Sequence, residues 1–169
     1  MSGIEINRSV QNATIDTIGE SVHSVERWYG TDGDNTMSTA NNLAPWTLTA
    51  ATTANVYGPA VTLSTVSDVL NADMGVTVVR FDVGKVAVTK ASVVDEAHMI
   101  QIWNGATQFA SASLSTEIPY RTAATSGEVR PLDCKMDTIP VANRLWARQK
   151  CTPTTSGTLN ILIGVQAYT

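Results

Sequence analysis

Along residues 1–24 the aliphatic positions are sparse: Ile4, Ile6, Val10, Ile15, Ile18 and Val22 stand singly among polar neighbours. Ile15, Ile18 and Val22 fit one helical stripe, but Gly19 and the Thr-rich context oppose a long helix. The segment predicts an extended N-terminal arm. It is too poor in apolar side chains to fold alone and needs a surface to lie on. From His23 the texture changes to a two-residue period. Val22, Ser24, Glu26 and Trp28 alternate with His23, Val25, Arg27 and Tyr29 up to Gly30, and Thr31-Asp32-Gly33-Asp34-Asn35 reads as a loop. Residues 35–59 read as long Thr/Ala/Asn-rich loops around one short strand, Trp46–Thr49, with Pro45 and Tyr57-Gly58-Pro59 as punctuation. Val61–Val66 is the next strand.

The alternation is clearest further on. Thr77–Val83 puts Val79, Phe81 and Val83 on one face, and Gly84 permits a kink or bulge before Val86-Ala87-Val88. Met99–Trp103 predicts a strand ending in a tight turn at Asn104-Gly105. Residues 128–137 hold another strand, placed at a sheet edge by Pro131. In Arg144–Cys151 the positions Leu145, Ala147 and Cys151 point inward, and Trp146, Arg148 and Lys150 outward. Leu159, Ile161, Ile163, Val165 and Ala167 line one face of a long last strand, which its apolar content makes central. Ser92–Ala97 reads as one helical turn within a connection. Some eight short strands without helical crossovers predict an all-β, jelly-roll-like antiparallel β-sandwich over residues 25–169, preceded by the arm of residues 1–24.

Composition sharpens this picture. Of 169 residues 15% are charged, which is 26 side chains where about 42 would be usual, while 23 Thr and 13 Ser fill the gap. The net charge of −4 offers no general attraction for nucleic acid or an anionic membrane surface. Met1–Arg8 has no basic region followed by an apolar run, so no secretory signal is expected, and no stretch has the length of a membrane span. Cys134 and Cys151 flank an expected hairpin with its turn near Pro140–Asn143; a bridge between them is conceivable, but a reducing cytosol favours thiols.

Few positions invite chemistry. His23 and His98 have no further ligands at metal spacing, and Asp32-Gly33-Asp34-Asn35 lacks the closing Glu of a calcium loop, so it reads as a turn. Asp95 and Glu96 are adjacent, a poor arrangement for an acid/base pair. Phosphate loops, nucleophile elbows and dinucleotide fingerprints are missing. No catalytic residue, metal or cofactor is assigned, and an enzyme is not expected. Trp28, Trp46, Trp103 and Trp146 are expected in the core or at a subunit interface, with a sugar-stacking platform as the alternative.

The series Val25-Glu26-Arg27-Trp28-Tyr29-Gly30, Met99-Ile100-Gln101-Ile102-Trp103, Arg144-Leu145-Trp146-Ala147-Arg148 and Ile161–Tyr168 resembles small virion proteins of tailed bacteriophages. These are jelly-roll or sandwich proteins that decorate or cement the capsid, or form head fibres. The resemblance implies a structural protein on the capsid exterior, assembled in the host bacterial cytoplasm, that binds the major capsid protein and itself as a homotrimer. In that setting Ile4, Ile6, Arg8, Val10, Ile15 and Ile18 of the arm are the expected capsid contacts. The alternative is a carbohydrate-binding sandwich module of a virion fibre, using the Trp residues and the Asp32/Asp34 loop. A coat protein of a small non-tailed virus is disfavoured by the lack of a basic arm.

Overall fold

The computed structural model describes residues 27–31, 33–35, 44–63, 70, 77–107, 112–122, 130–152 and 157–168. Within them the chain is built from eleven strands in two antiparallel sheets. The first sheet holds β1 (Arg27–Gly30), β2 (Gly33–Asn35), β3 (Trp46–Thr49), β5 (Arg80–Ala91), β8 (Arg130–Asp133), β9 (Ile139–Pro140) and β11 (Thr158–Tyr168). The second holds, in spatial order, β4 (Val61–Thr62), β10 (Arg144–Cys151), β6 (Ala97–Gly105) and β7 (Ser113–Arg121). β11 is central, with β5 along one edge and β1 and β3 end to end along the other.

The expected inward face of β11 is the observed one. Leu159, Ile161, Ile163 and Val165 are fully buried, Ala167 nearly so, and all meet β5, β6 and β10 in a single core. β5 keeps its apolar side chains inward despite a change of parity, because it carries two bulges. Lys85 pairs Gly164 and Val83 pairs Val165, so Gly84 is the extra residue. Thr89 is skipped in the same way between Val88 and Lys90, and its hydroxyl donates to the Asn160 carbonyl at 3.2 Å. The Gly84 bulge shifts the parity by one, which lets Phe81, Val83, Val86 and Val88 all face the core while Ala87 faces outward with Trp28 and Leu162, and the Thr89 bulge does the same for Ala91.

Several expectations are corrected. Val79 is 57% exposed and Val78 is buried, because the regular strand begins only at Arg80. The turn-rich residues after Gly30 form a hairpin in which β2 pairs β1. Asn104-Gly105 is not a two-residue turn: both pair with β10, and the Asn104 amide donates to Ser115 Oγ at 2.7 Å. β7 was not foreseen; of its nine residues only Ile118 is deeply buried, so its sequence shows little apolar period. Residues 92–95 are a bend rather than a helical turn, with Asp95 at φ 56°. The chain from Pro140 to Asn143 is a corner, closed by Asn143 N–H on the Pro140 carbonyl, between β9 in one sheet and β10 in the other. Cys134 and Cys151 therefore flank no hairpin, and neither forms a disulfide.

Candidate binding surface

Where the expected site residues fall decides what they can do. Ile4, Ile6, Arg8, Val10, Ile15, Ile18 and Asp32 lie outside the described residues, as does His23. Of the four tryptophans, Trp46 is in the main core, Trp28 is buried on the outer side of the first sheet, and Trp146 is buried on the outer side of the second. Only Trp103 is half-exposed. A stacking platform made of several Trp rings is thus ruled out by burial; the outer face of the second sheet carries a different arrangement.

On that face the pleat aligns Arg148 of β10, Gln101 of β6 and Glu117 of β7 in one cross-strand row, with Trp146, Trp103 and Leu114 in the next. The Gln101 amide organises the row. Its oxygen accepts from Arg148 Nε at 2.8 Å and from the Trp103 indole N–H at 3.3 Å, and its nitrogen donates to Glu117 Oε1. Tyr57 closes the arrangement from the side. Its hydroxyl donates to Glu117 Oε1 at 3.2 Å, the Arg148 guanidinium stands 4.6 Å over its ring, and Lys150 Nζ lies 4.9 Å from the same ring. Arg148 also stands 5.2 Å over the Trp103 ring.

Tyr57 is there because residues 55–63 run as a strap along β10. Asn55 N–H donates to the Cys151 carbonyl, Gly58 N–H to Gln149, and Leu63 N–H to Leu145, with β4 paired between. Gly58 makes the close approach possible, since a Cβ at this position would stand 1.8 Å from the Thr49 carbonyl oxygen. The electrostatics follow from these contacts. The Gln101 bond, the Tyr57 bond and the cations Lys150 and Arg148 hold the Glu117 carboxyl below its usual range, against a smaller opposing effect of desolvation. Burial and the Glu117 charge push the Tyr57 hydroxyl up.

Beneath this face, between the sheets, lies a buried polar staple. Gln149 Nε2 donates to the carbonyls of Leu48 at 2.7 Å and Gly157 at 2.8 Å, so its Oε1 accepts from His98 Nδ1 at 2.8 Å. That arrangement requires the proton on Nδ1 and leaves His98 Nε2 a buried acceptor without a hydrogen bond. Burial pushes the imidazole pKa down, only partly offset by Gln149 and the Glu96 charge. His98 is thus a neutral structural group.

A cleft of about 740 Å³ opens beside the Gly84 bulge, where Cys134 N–H bonds the Gly84 carbonyl and the Met136 thioether accepts from Val83 N–H. Burial and the Asp133 charge push the Cys134 thiol up to about 12, which makes it a poor nucleophile near neutrality. Among the described residues no three His, Cys, Asp or Glu side chains converge as metal ligands, and no helix is long and apolar enough to cross a membrane.

Sequence reasoning placed Arg148 and Lys150 on the outward side of their strand and missed Tyr57, Gln101 and Glu117; Trp103, expected in the core or at a subunit interface, is instead partly exposed on the outer face. Gln101 was detectable as the polar residue between two outward positions of its strand; Glu117 was hidden with β7, and Tyr57 sits in a strap with no period. Compared with known proteins, the chain matches no family model, no curated protein and no solved structure.

Proposed function

We propose that this protein is a structural component of a tailed-phage virion: a decoration or cement protein of jelly-roll type, without enzymatic activity. It binds the major capsid protein on the capsid exterior, after assembly in the bacterial cytoplasm, and associates with itself as a homotrimer. The observation that carries the non-catalytic part is how the reactive side chains are used. His98 is neutral and bonded to Gln149 between the sheets, and the Cys134 thiol is pushed up to about 12. Groups tied up in this way hold a scaffold together; catalysis needs them accessible and tuned near neutral pH.

The virion part rests on the resemblance of the strand motifs and on the charge-poor, Thr- and Ser-rich composition, which suits a surface partly covered by neighbours. Many symmetric copies make modest individual contacts collectively strong. Burial across capsomer boundaries then favours the assembled shell by mass action. The test is to mix the purified full chain with empty heads of a tailed phage. Stoichiometric addition of an oligomer, abolished by deleting residues 1–20 with the sandwich intact by circular dichroism, is the expected result. A monomer that leaves heads unbound and no more heat-resistant overturns the reading.

A further inference from the structure

We propose that the outer face of the four-stranded sheet binds a neutral oligosaccharide chain, with Glu117 and Lys150 hydrogen-bonding its hydroxyls beside the rings of Tyr57 and Trp103. This goes beyond the capsid reading, which assigns no small ligand to the molecule.

Three features of the face lead to that ligand. The first is preorganisation. One amide, Gln101, fixes Glu117, Arg148 and Trp103 at once, and Tyr57 is tied to Glu117 by its hydroxyl and to Arg148 by its ring. Side chains already held in place lose little freedom when a ligand arrives.

The second is the hydrogen-bonding capacity left over. Both donors to Glu117 among the described residues reach Oε1, so none of them occupies Oε2, which can accept a further bond. Lys150 contacts the Tyr57 ring and uses none of its three N–H donors on the described residues. A ready acceptor and a ready donor flank the same aromatic ring. A hydroxyl group is both donor and acceptor, so neighbouring hydroxyls of a sugar satisfy the two together, whereas an anion meets the Glu117 charge and a cation meets Arg148 and Lys150.

The third is shape. The row from Arg148 to Glu117 crosses three strands, roughly 10 Å at the usual strand spacing. Glu117 is exposed and Arg148, Lys150 and Trp103 are partly so, and the row is longer than one pyranose ring. An extended chain gains contacts along the row that a single monosaccharide cannot, with the rings of Tyr57 and Trp103 offering apolar surface to sugar C–H groups.

The experiment is a heteronuclear NMR titration of the full chain with neutral oligosaccharides built from glucose, galactose, mannose or N-acetylglucosamine. The Trp103 indole N–H signal is assigned with Trp103→Phe. Expected are saturable shifts of that signal and of the backbone near Tyr57 and Lys150 with at least one oligosaccharide. Glu117→Gln and Lys150→Ala each weaken binding about tenfold, the worth of one charge-assisted hydrogen bond. Both side chains lie on the outer face, so the variants are expected to keep the parent fold, checked in the same spectra. Shifts with sulfate or phosphate alone, affinity unchanged in both variants, or no shift with any neutral oligosaccharide overturn the proposal. The double variant still adds to phage heads if the capsid reading is right, so the two proposals fail separately.

Discussion

Gln149 and His98 show how much one buried polar pair can constrain. Replacing Gln149 by Leu keeps the volume but leaves the buried His98 Nδ1–H without its acceptor and removes one bond each from the Leu48 and Gly157 carbonyls, the second of which keeps the Ala50 N–H at 2.9 Å. The expected cost is about 1–3 kcal/mol, read as a lower denaturant midpoint with unchanged slope. The same pair gives a pH dependence with a definite sign. The His98 pKa is lower in the folded chain than its ordinary value near 6.5, so the unfolded chain takes up a proton more readily. Stability attributable to His98 is therefore full above about pH 6.5, falls as the pH drops below it, and levels off below the folded-state pKa. Melting temperatures of the parent and of His98→Gln between pH 7.5 and 5 (roughly the window on either side of that value) check this: the variant is expected to lose less on acidification. The two cysteines make a simpler case. With no disulfide present, adding a reductant is expected to leave the melting temperature unchanged.

At the scale of elements, two glycines with the same look in the sequence have different duties. Gly84 is the bulge residue of β5, yet an added Cβ would find its nearest neighbour, in the flexible Gln166 side chain, at 3.7 Å. Gly84→Ala is expected to change stability by less than about 1 kcal/mol. Gly58 has the Thr49 carbonyl oxygen where its Cβ would be, at 1.8 Å, so Gly58→Ala must push the strap away from β3 and carry Tyr57 off Glu117 and Arg148. Its expected signature is a loss of about 2 kcal/mol or more, together with altered Tyr57 ring resonances. The central strand responds in a third way: Ile163, fully buried in β11, is expected to cost about 2–5 kcal/mol when truncated to Ala. These elements also show what a one-dimensional pattern conveys. β11 was legible because it puts an unbroken alternate apolar set into the core, and β10 because Leu145, Ala147 and Cys151 keep one parity on either side of the buried Gln149. β7 was not, because an edge strand with one deeply buried residue has almost no pattern, and Asn104-Gly105 misled because its turn chemistry was overridden by pairing to β10.

For the whole molecule, the division between sheets is the feature that local pattern does not carry. Residues 130–151 look like one hairpin in sequence, but the corner at Pro140–Asn143 sends β9 to pair β5 and β10 to pair β6. That corner separates the two cysteines and lets Gln149 reach across to Leu48. The binding face is assembled the same way, from a strap at residue 57, a strand at residue 101, an edge strand at residue 117 and a fourth segment at residue 148. Sequence by itself determined that the chain is all-β, which strand is central, which side of β10 faces out and that β5 can bulge at Gly84, though not its second bulge at Thr89. Those are consequences of a two-residue period and of where glycine and proline fall, both local properties. Only the tertiary structure decided which strands share a sheet, how the buried histidine is protonated and which polar residues meet on the outer face. Those depend on register and on contacts between segments far apart in the chain, for which the alternation of apolar and polar residues holds no information.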